Sequence, residues 1–249
     1  MENIRKLTEL LRNHHRIVFF GGAGVSTESR IPDFRGKDGL YRKKTDWSWT
    51  PEEMLSHHFF EEHPREFFEM YRKMAEGIAA AKPNKAHEAL AALERMGKLT
   101  AVVTQNIDGL HQKAGSRNVI ELHGTSLTNT CLDCGKSISL DDFLARKETI
   151  PHCPCCGGML RPDIILYEEA LDMDVIDDAA TAISQADLLI IGGTSLVVYP
   201  AAGMVRYFGG DAKVMINRDP TERDEECDLV FRESIGKVLD EAVRGLTEI

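Results

Sequence analysis

Residues 21–36, Gly-Gly-Ala-Gly-Val-Ser-Thr-Glu-Ser-Arg-Ile-Pro-Asp-Phe-Arg-Gly, constrain the fold of this chain more than any other stretch. They follow a short apolar run, Arg16-Ile-Val-Phe-Phe20, that reads as a buried parallel strand. A strand that feeds straight into Gly-x-Gly and small hydroxyl residues brings backbone amides close to a phosphate. The next helical turn then adds its positive end. Such turns often bind nothing, and the full dinucleotide fingerprint is broken here. Gly22 and Gly24 match its first two glycines, but Thr27 stands at the third. The distinctive part is the tail, Pro32–Gly36. It sets an acid (Asp33), an aromatic (Phe34) and a base (Arg35) where an ordinary Rossmann turn would run on into helix.

The rest of the chain alternates strands and helices. Ile4, Leu7 and Leu11 mark an amphipathic helix before the first strand. Apolar runs at 99–104, 187–192 and 212–217 read as further strands, with shorter ones at 119–122 and 228–231. A helix covers His87–Met96, and Val238, Leu239, Ala242, Val243 and Leu246 line a closing helix. Helices between short apolar strands predict an α/β fold, a Rossmann-like, doubly wound parallel sheet with its ligand at the strands' carboxyl ends. Two stretches break the alternation and read as insertions forming a smaller domain: a helical module at 41–84 and a cysteine-rich module at 128–161. Residues 1–40, 85–127 and 162–249 then make up the sheet domain of the 249-residue chain.

A formal charge of −10 argues against an electrostatic grip on nucleic acid. Arg5, Lys6, Glu9 and Arg12 interrupt any secretion-signal core at the start, and no stretch approaches the roughly 18 apolar residues of a membrane span. These features predict a soluble, cytoplasmic protein with neither nucleic-acid nor membrane partners.

Cys131-Leu-Asp-Cys134-Gly135 and Cys153-Pro-Cys-Cys156-Gly157 are two Cys-x2-Cys-Gly turns. Each can present two thiolates to one tetrahedral ion, and the glycine permits the tight left-handed turn that follows. Disulfides are the alternative, disfavoured without a secretion signal. Cys155 competes with Cys156, although the symmetry of the two units favours Cys153 and Cys156. Four thiolates leave no open position, so the zinc would be structural. Cys227 reads as a core residue.

A third cluster, Thr104-Gln-Asn-Ile-Asp-Gly-Leu-His111, sets amide and carboxylate groups at a strand's carboxyl end. His123, flanked by Gly124, follows another short strand and is the candidate base, with His111 as its competitor. His14, His15, His57, His58 and His63 read as surface or packing residues.

Taken together these motifs resemble the sirtuins, the NAD-dependent protein deacylases. The resemblance extends over nearly the whole chain. It is carried by Gly22–Ser26, Ile31–Gly36, Thr104–His111, Leu122–Gly124, the two Cys-x2-Cys turns, Arg161-Pro162, Gly193–Ser195 and Val198–Pro200. It implies that NAD and an acyl-lysine protein or peptide enter a cleft between the two domains. Gly22, Ala23, Gly24, Thr27, Asp33, Phe34 and Arg35 would line the diphosphate and nicotinamide-ribose region, and Gln105, Asn106 and Asp108 the nicotinamide pocket and ribose. Gly193, Thr194 and Ser195 match a second phosphate turn, Asn217 the adenine-ribose residue, and Gly236–Lys237 the backbone at adenine. Ile165 and Val197–Val198–Tyr199 match segments that sandwich the substrate peptide as an added strand. In the family mechanism the acyl oxygen attacks the ribose carbon that nicotinamide leaves, with Phe34 shielding it from water. His123 then deprotonates a ribose hydroxyl that attacks the imidate. Asn106 and Asp108 share the catalytic end, and the products are lysine, nicotinamide and O-acetyl-ADP-ribose.

The chain departs from the family at Arg30, where a glycine is common, and at Tyr167-Glu168-Glu169, where many members have Phe-Gly-Glu. Succinyl- and malonyl-preferring members carry Tyr-x-x-Arg on the small-domain helix. Here Tyr71 takes the tyrosine position and Met74 the arginine position, which predicts a preference for acetyl-lysine. Two other readings are an NAD-dependent mono-ADP-ribosyltransferase and a non-enzymatic NAD or ADP-ribose sensor; the intact His123 argues against the sensor.

Overall fold

Successive side chains of a strand point to opposite faces, and the apolar runs use both. The computed structural model describes residues 2–33 and 48–247. Six strands, β1 (Ile17–Gly21), β2 (Leu99–Thr104), β3 (Val119–Glu121), β7 (Leu188–Gly192), β8 (Ala212–Ile216) and β9 (Leu229–Phe231), form one sheet ordered β3-β2-β1-β7-β8-β9. Every described pairing in it is parallel. Counted within this sheet alone, the order is 3-2-1-4-5-6, that of a Rossmann fold.

Ile17 and Phe19 of β1 pack on one face with Leu188 and Ile190 of β7 and Val214 and Ile216 of β8. That face is covered by α1 (Glu2–Asn13), α5 (Lys85–Arg95) and α9 (Ile235–Arg244), through Leu7, Leu11, Leu90, Leu93, Val238 and Leu239. Val18 and Phe20 point the other way with Leu189 and Ile191, under α8 (Met173–Gln185) and the 3-10 helix Ala201–Tyr207. Burial on both faces is why these runs read as continuous rather than alternating apolar segments.

A separate three-stranded antiparallel sheet, β5-β4-β6, is built from β4 (Gly124–Cys131), β5 (Ser137–Ser139) and β6 (Leu160–Ile164). It shares a third core with α2 (Pro51–Met54), α3 (His57–Glu62), α4 (Pro64–Ala80) and α7 (Leu140–Leu144). Phe67, Phe68, Tyr71 and Phe143 fill this core and are wholly buried. The helical and cysteine-rich stretches thus merge into one unit. β4 begins before the expected module edge at 128 and β6 runs on past the one at 161, and they carry that unit back to the large sheet.

The first turn differs in detail from expectation. β1 extends to Gly21, and residues Ala23–Ser29 form a 3-10 helix. It ends at Arg30, whose φ of 67° is left-handed. That is a conformation for which glycine carries no steric penalty, which accounts for the glycine common at this position in sirtuins.

Gly21 pairs with Gly192, so the turns after β1 and β7 leave the sheet side by side. A Cβ on Gly24 would lie 2.7 Å from the Gly193 Cα and 2.8 Å from its oxygen, both backbone atoms. Gly24→Ala is therefore expected to cost about 1–3 kcal/mol, read as a lower urea midpoint with an unchanged slope.

Candidate active site

The two glycine turns meet at the point where strand order reverses, the usual ligand position in such sheets. Gly22 N–H donates to Gly192 O (3.3 Å) and Gly24 N–H to Gly193 O (2.8 Å). A Cβ on Gly22 would lie 2.9 Å from the Thr194 Cβ, so the first turn has no room for a side chain there. Thr27 donates its hydroxyl to Gly24 O (2.9 Å), closing the first turn on itself. Ala23, Thr27 and Asp33 are half-buried along its rim, and Ser195 is exposed on the second turn. Phe34 and Arg35 lie outside the described residues.

β2 delivers the amide cluster to the same edge. Gln105 N–H donates to Gly21 O (3.0 Å), and its side chain donates to Thr194 Oγ1 (3.1 Å), bridging β2 to the second turn. Asn106 Nδ2 donates to Ser26 Oγ (3.1 Å), and Ser26 donates in turn to Asp108 Oδ2 (2.6 Å). Asp108 also accepts the Leu110 N–H (2.9 Å). Burial pushes the Asp108 carboxyl above its usual range, while these two donors oppose the shift by favouring the carboxylate.

His123 sits in the turn between β3 and β4, half-buried. Its Nδ1 is 2.9 Å from Gln105 O. A carbonyl only accepts, so Nδ1 carries the proton and Nε2 is the basic nitrogen. Burial lowers the affinity of the ring for a second proton, partly offset by the Gln105 carbonyl. The ring is thus a neutral imidazole with a fixed tautomer. Gly124 next to it has φ 71°, and a Cβ there would lie 2.2 Å from Asp163 O. His111 is a different kind of residue: 1% exposed, with neither ring nitrogen hydrogen-bonded, packed edge-on against His87 at 4.7 Å.

Two further groups flank this centre. Asn217, at the end of β8, donates its N–H to Phe231 O (3.0 Å) and its Nδ2 to Asp219 O (2.9 Å). Gly236 is buried at the start of α9, with its N–H on Glu28 Oε1 (3.0 Å), and Lys237 is exposed and paired with Glu233. On the other flank Ile165 donates its N–H to His123 O (2.9 Å), which brings the chain after β6 beside the histidine. Val197 and Tyr199 are 55% and 59% exposed, with Val198 half-buried between them. Tyr71 is enclosed, stacked on Phe67 at 6.0 Å, while Met74 is half-buried against the same core as Ile107. Arg72 is committed elsewhere: it donates to Glu148 O (2.9 Å) and lies 4.8 Å over the Phe143 ring.

Three residues that sequence reasoning left out join the site. Ser26 links Asn106 to Asp108. Glu28 accepts from Ser234 (2.6 Å) and Gly236. Asn84 donates to Val25 O (2.8 Å) and Ser29 Oγ (3.0 Å). Asn84 alone carried a local signal, as Pro-Asn directly before a helix is an N-cap pattern.

The Sγ atoms of Cys131, Cys134, Cys153 and Cys156 all lie within 4.8 Å of one another. The Cys131–Cys156 and Cys134–Cys153 pairs are 3.5 and 3.7 Å apart. The edge of a tetrahedron with thiolates about 2.3 Å from its centre is ~3.8 Å, so the set fits one zinc ion. All six cysteines are free thiols. Cys155 is exposed and outside the group, with its N–H directed at Cys153 Sγ (3.4 Å).

Residues 22–200 match the Sir2 family. An NAD-dependent protein deacetylase of Clostridium acetobutylicum is 55% identical, with 98% of this chain and 99% of that protein covered. One of Staphylococcus aureus is 41% identical over 95% and 96%. A solved Sir2 homologue–NAD complex superposes with a TM-score of 0.86 at 39% identity, covering 98% of this chain and 94% of that one. A Sir2 variant with a deacetylated p53 peptide and 3'-O-acetyl ADP-ribose gives 0.88 at 36%, covering 97% and 98%. The chain belongs to the Sir2 family.

One zinc per chain is expected by elemental analysis, retained in Cys155→Ser and lost in Cys156→Ser. Its removal is expected to unfold the β5-β4-β6 unit, since a closed thiolate site contributes folding energy.

Proposed function

We propose that this protein is an NAD-dependent protein lysine deacetylase that uses His123 as general base and releases nicotinamide and O-acetyl-ADP-ribose. The observation that carries the reading is the Nδ1-protonated imidazole of His123, fixed by Gln105 O at the edge where both glycine turns end. NAD supplies the electrophilic ribose carbon and the acceptor of the acyl group.

In this reading the turns at Gly22–Gly24 and Gly193–Ser195 flank the diphosphate, with Gly24 and Gly193 bare of side chain where the two backbones approach. Gln105, Asn106 and Asp108 surround the nicotinamide end. Ser26 donates to Asp108 and so favours its carboxylate form against the effect of burial, and a carboxylate there favours positive charge developing nearby. His123 takes a proton at Nε2 from a ribose hydroxyl, and its Nδ1–H on Gln105 O stabilises the imidazolium that results. Asn217 and the Gly236–Lys237 backbone bound the adenosine end, and the exposed Val197–Tyr199 edge and Ile165 take the peptide between them by strand addition.

The substrate is an acetyl-lysine protein or peptide. Met74 offers an apolar wall near Ile107, and Arg72 spends its donors on a backbone carbonyl rather than on a substrate acid. A cytoplasmic location is part of the reading, in keeping with a cysteine cluster arranged for a metal ion rather than for disulfides.

His123→Ala is expected to lose deacetylation by ~10²-fold or more while NAD binding by calorimetry survives. In the unsubstituted enzyme the neutral ring is the active form, and its proton affinity is lowered. The acid limb of kcat/KM is therefore expected below pH 6.5, the ordinary imidazole value. A limb above 6.5, or an active His123→Ala, would assign the base elsewhere. Product analysis on an acetyl-lysine peptide separates this reaction, giving O-acetyl-ADP-ribose, from ADP-ribosyl transfer to protein.

The acyl preference has its own test. In one peptide, kcat/KM for acetyl-lysine is expected to exceed that for succinyl-lysine, with Met74→Arg narrowing the gap. A wild-type preference for succinyl-lysine would overturn the assignment of Met74.

A further inference from the structure

The turn from Val25 to Arg30 is held from two sides. Toward the cleft, Ser26 is tied to Asp108 and Asn106. From behind, Asn84 Nδ2 donates to Val25 O (2.8 Å) and to Ser29 Oγ (3.0 Å). The other end of the same carboxamide serves a helix. Asn84 Oδ1 accepts the Ala86 N–H (2.9 Å) and caps α5, while the Asn84 N–H donates to His87 Nδ1 (3.2 Å).

The turn needs an outside support. It is a single 3-10 segment and ends on Arg30 at φ 67°, a backbone state that a non-glycine residue keeps only when its surroundings enforce it. α5 is a firm base for that support. Ala86, Leu90 and Leu93 are buried in the same core as Val25. His87 is fully buried, and burial lowers its pKa to about 4, so the ring stays neutral and Nδ1 stays an acceptor.

We propose that Asn84 is a positioning residue for the dinucleotide site: its carboxamide couples the capped start of α5 to the turn that carries Gly24 and Thr27. This rests on the reading that NAD binds at that turn. Asn84 itself reaches the ligand only through Val25 and Ser29.

Asn84→Asp separates the two roles. Aspartate caps helices as well as asparagine does, so α5 keeps its cap, but an oxygen replaces the donor facing Val25 O. The expected result is a roughly tenfold higher KM for NAD, with kcat and the peptide KM within about twofold and Tm within about 3 °C. The calorimetric Kd for NAD should rise by the same factor. Ser29→Ala, which removes the second partner without touching the helix, is expected to raise KM for NAD by about threefold. Leu93→Ala loosens α5 from its core and is expected to lower Tm with KM for NAD unchanged. Wild-type NAD affinity in both Asn84→Asp and Ser29→Ala would overturn the proposal. So would an equal loss of NAD affinity in Leu93→Ala, since that would trace the effect to general loosening. Failure of the unsubstituted protein to bind NAD would remove the functional reading itself, a result distinct from either.

Discussion

The contact of Gly24 with Gly193 is the constraint around which the site is arranged. Two parallel strands, β1 and β7, end in register at Gly21 and Gly192 and must send their chains in opposite directions across the sheet. The turns that do so interlock through Gly22 and Gly24 N–H groups donated to Gly192 and Gly193 oxygens. Any side chain at Gly24 would push them apart. β2 depends on the same junction, because Gln105 is fixed to Gly21 O at one end and Thr194 at the other. Gln105 O in turn sets the tautomer of His123. A single close approach of backbones thereby reaches, through three hydrogen-bonded residues, the nitrogen assigned to catalysis.

Burial and hydrogen bonding shift the pKa values of His123 and Asp108 in opposite directions. His123 gains one neutral acceptor, and desolvation keeps it uncharged and ready to take a proton. Asp108 is more deeply buried, yet it receives Ser26 and Leu110 as donors, so its charge has partners when present. His87 and His111, equally buried, have no charged partner of either sign among the described residues, and burial lowers the pKa of both. The difference between the proposed base and a packing histidine here is access, not residue type.

Both departures from the family pattern fall at left-handed backbone positions. Arg30 has φ 67° and Glu168 φ 74°. Each replaces a glycine common in sirtuins, and each holds a conformation costing a non-glycine residue about 1–2 kcal/mol. Compensation is visible at both. The Arg30 turn is anchored by Asn84, and Glu168 accepts the His58 N–H (3.0 Å). The neighbouring Glu169 is gripped by Arg161 (2.6 Å), His57 (2.8 Å) and the Leu166 N–H (2.8 Å). Burial raises its pKa, but these partners together hold the carboxyl below its usual range. The extra charge of the Tyr167–Glu169 loop is therefore concentrated on the exposed Glu168.

The sequence by itself determined the six sheet strands, the doubly wound class, the first glycine turn and the two Cys-x2-Cys-Gly units. Each depends on residues close together in the chain: continuous apolar runs, Gly-x-Gly after a strand, and paired Cys-x2-Cys-Gly units. Family resemblance then supplied the roles of His123, Asn106 and Asp108, which no local spacing establishes. Only the tertiary structure decided what distant residues do to one another. Tyr71 stacks inside an aromatic core, although helix periodicity alone would have let it face a pocket. Ser26, Glu28 and Asn84 become parts of the site because β2, α9 and α5 converge on one turn. Cys156 rather than Cys155 joins the thiol group, as the symmetry of the two turns had favoured and as only the distances settle. Hydrogen bonds with a 2.6–2.8 Å reach between residues far apart in the chain leave no periodic trace in sequence, and these bonds are what turn a Rossmann scaffold into this particular site.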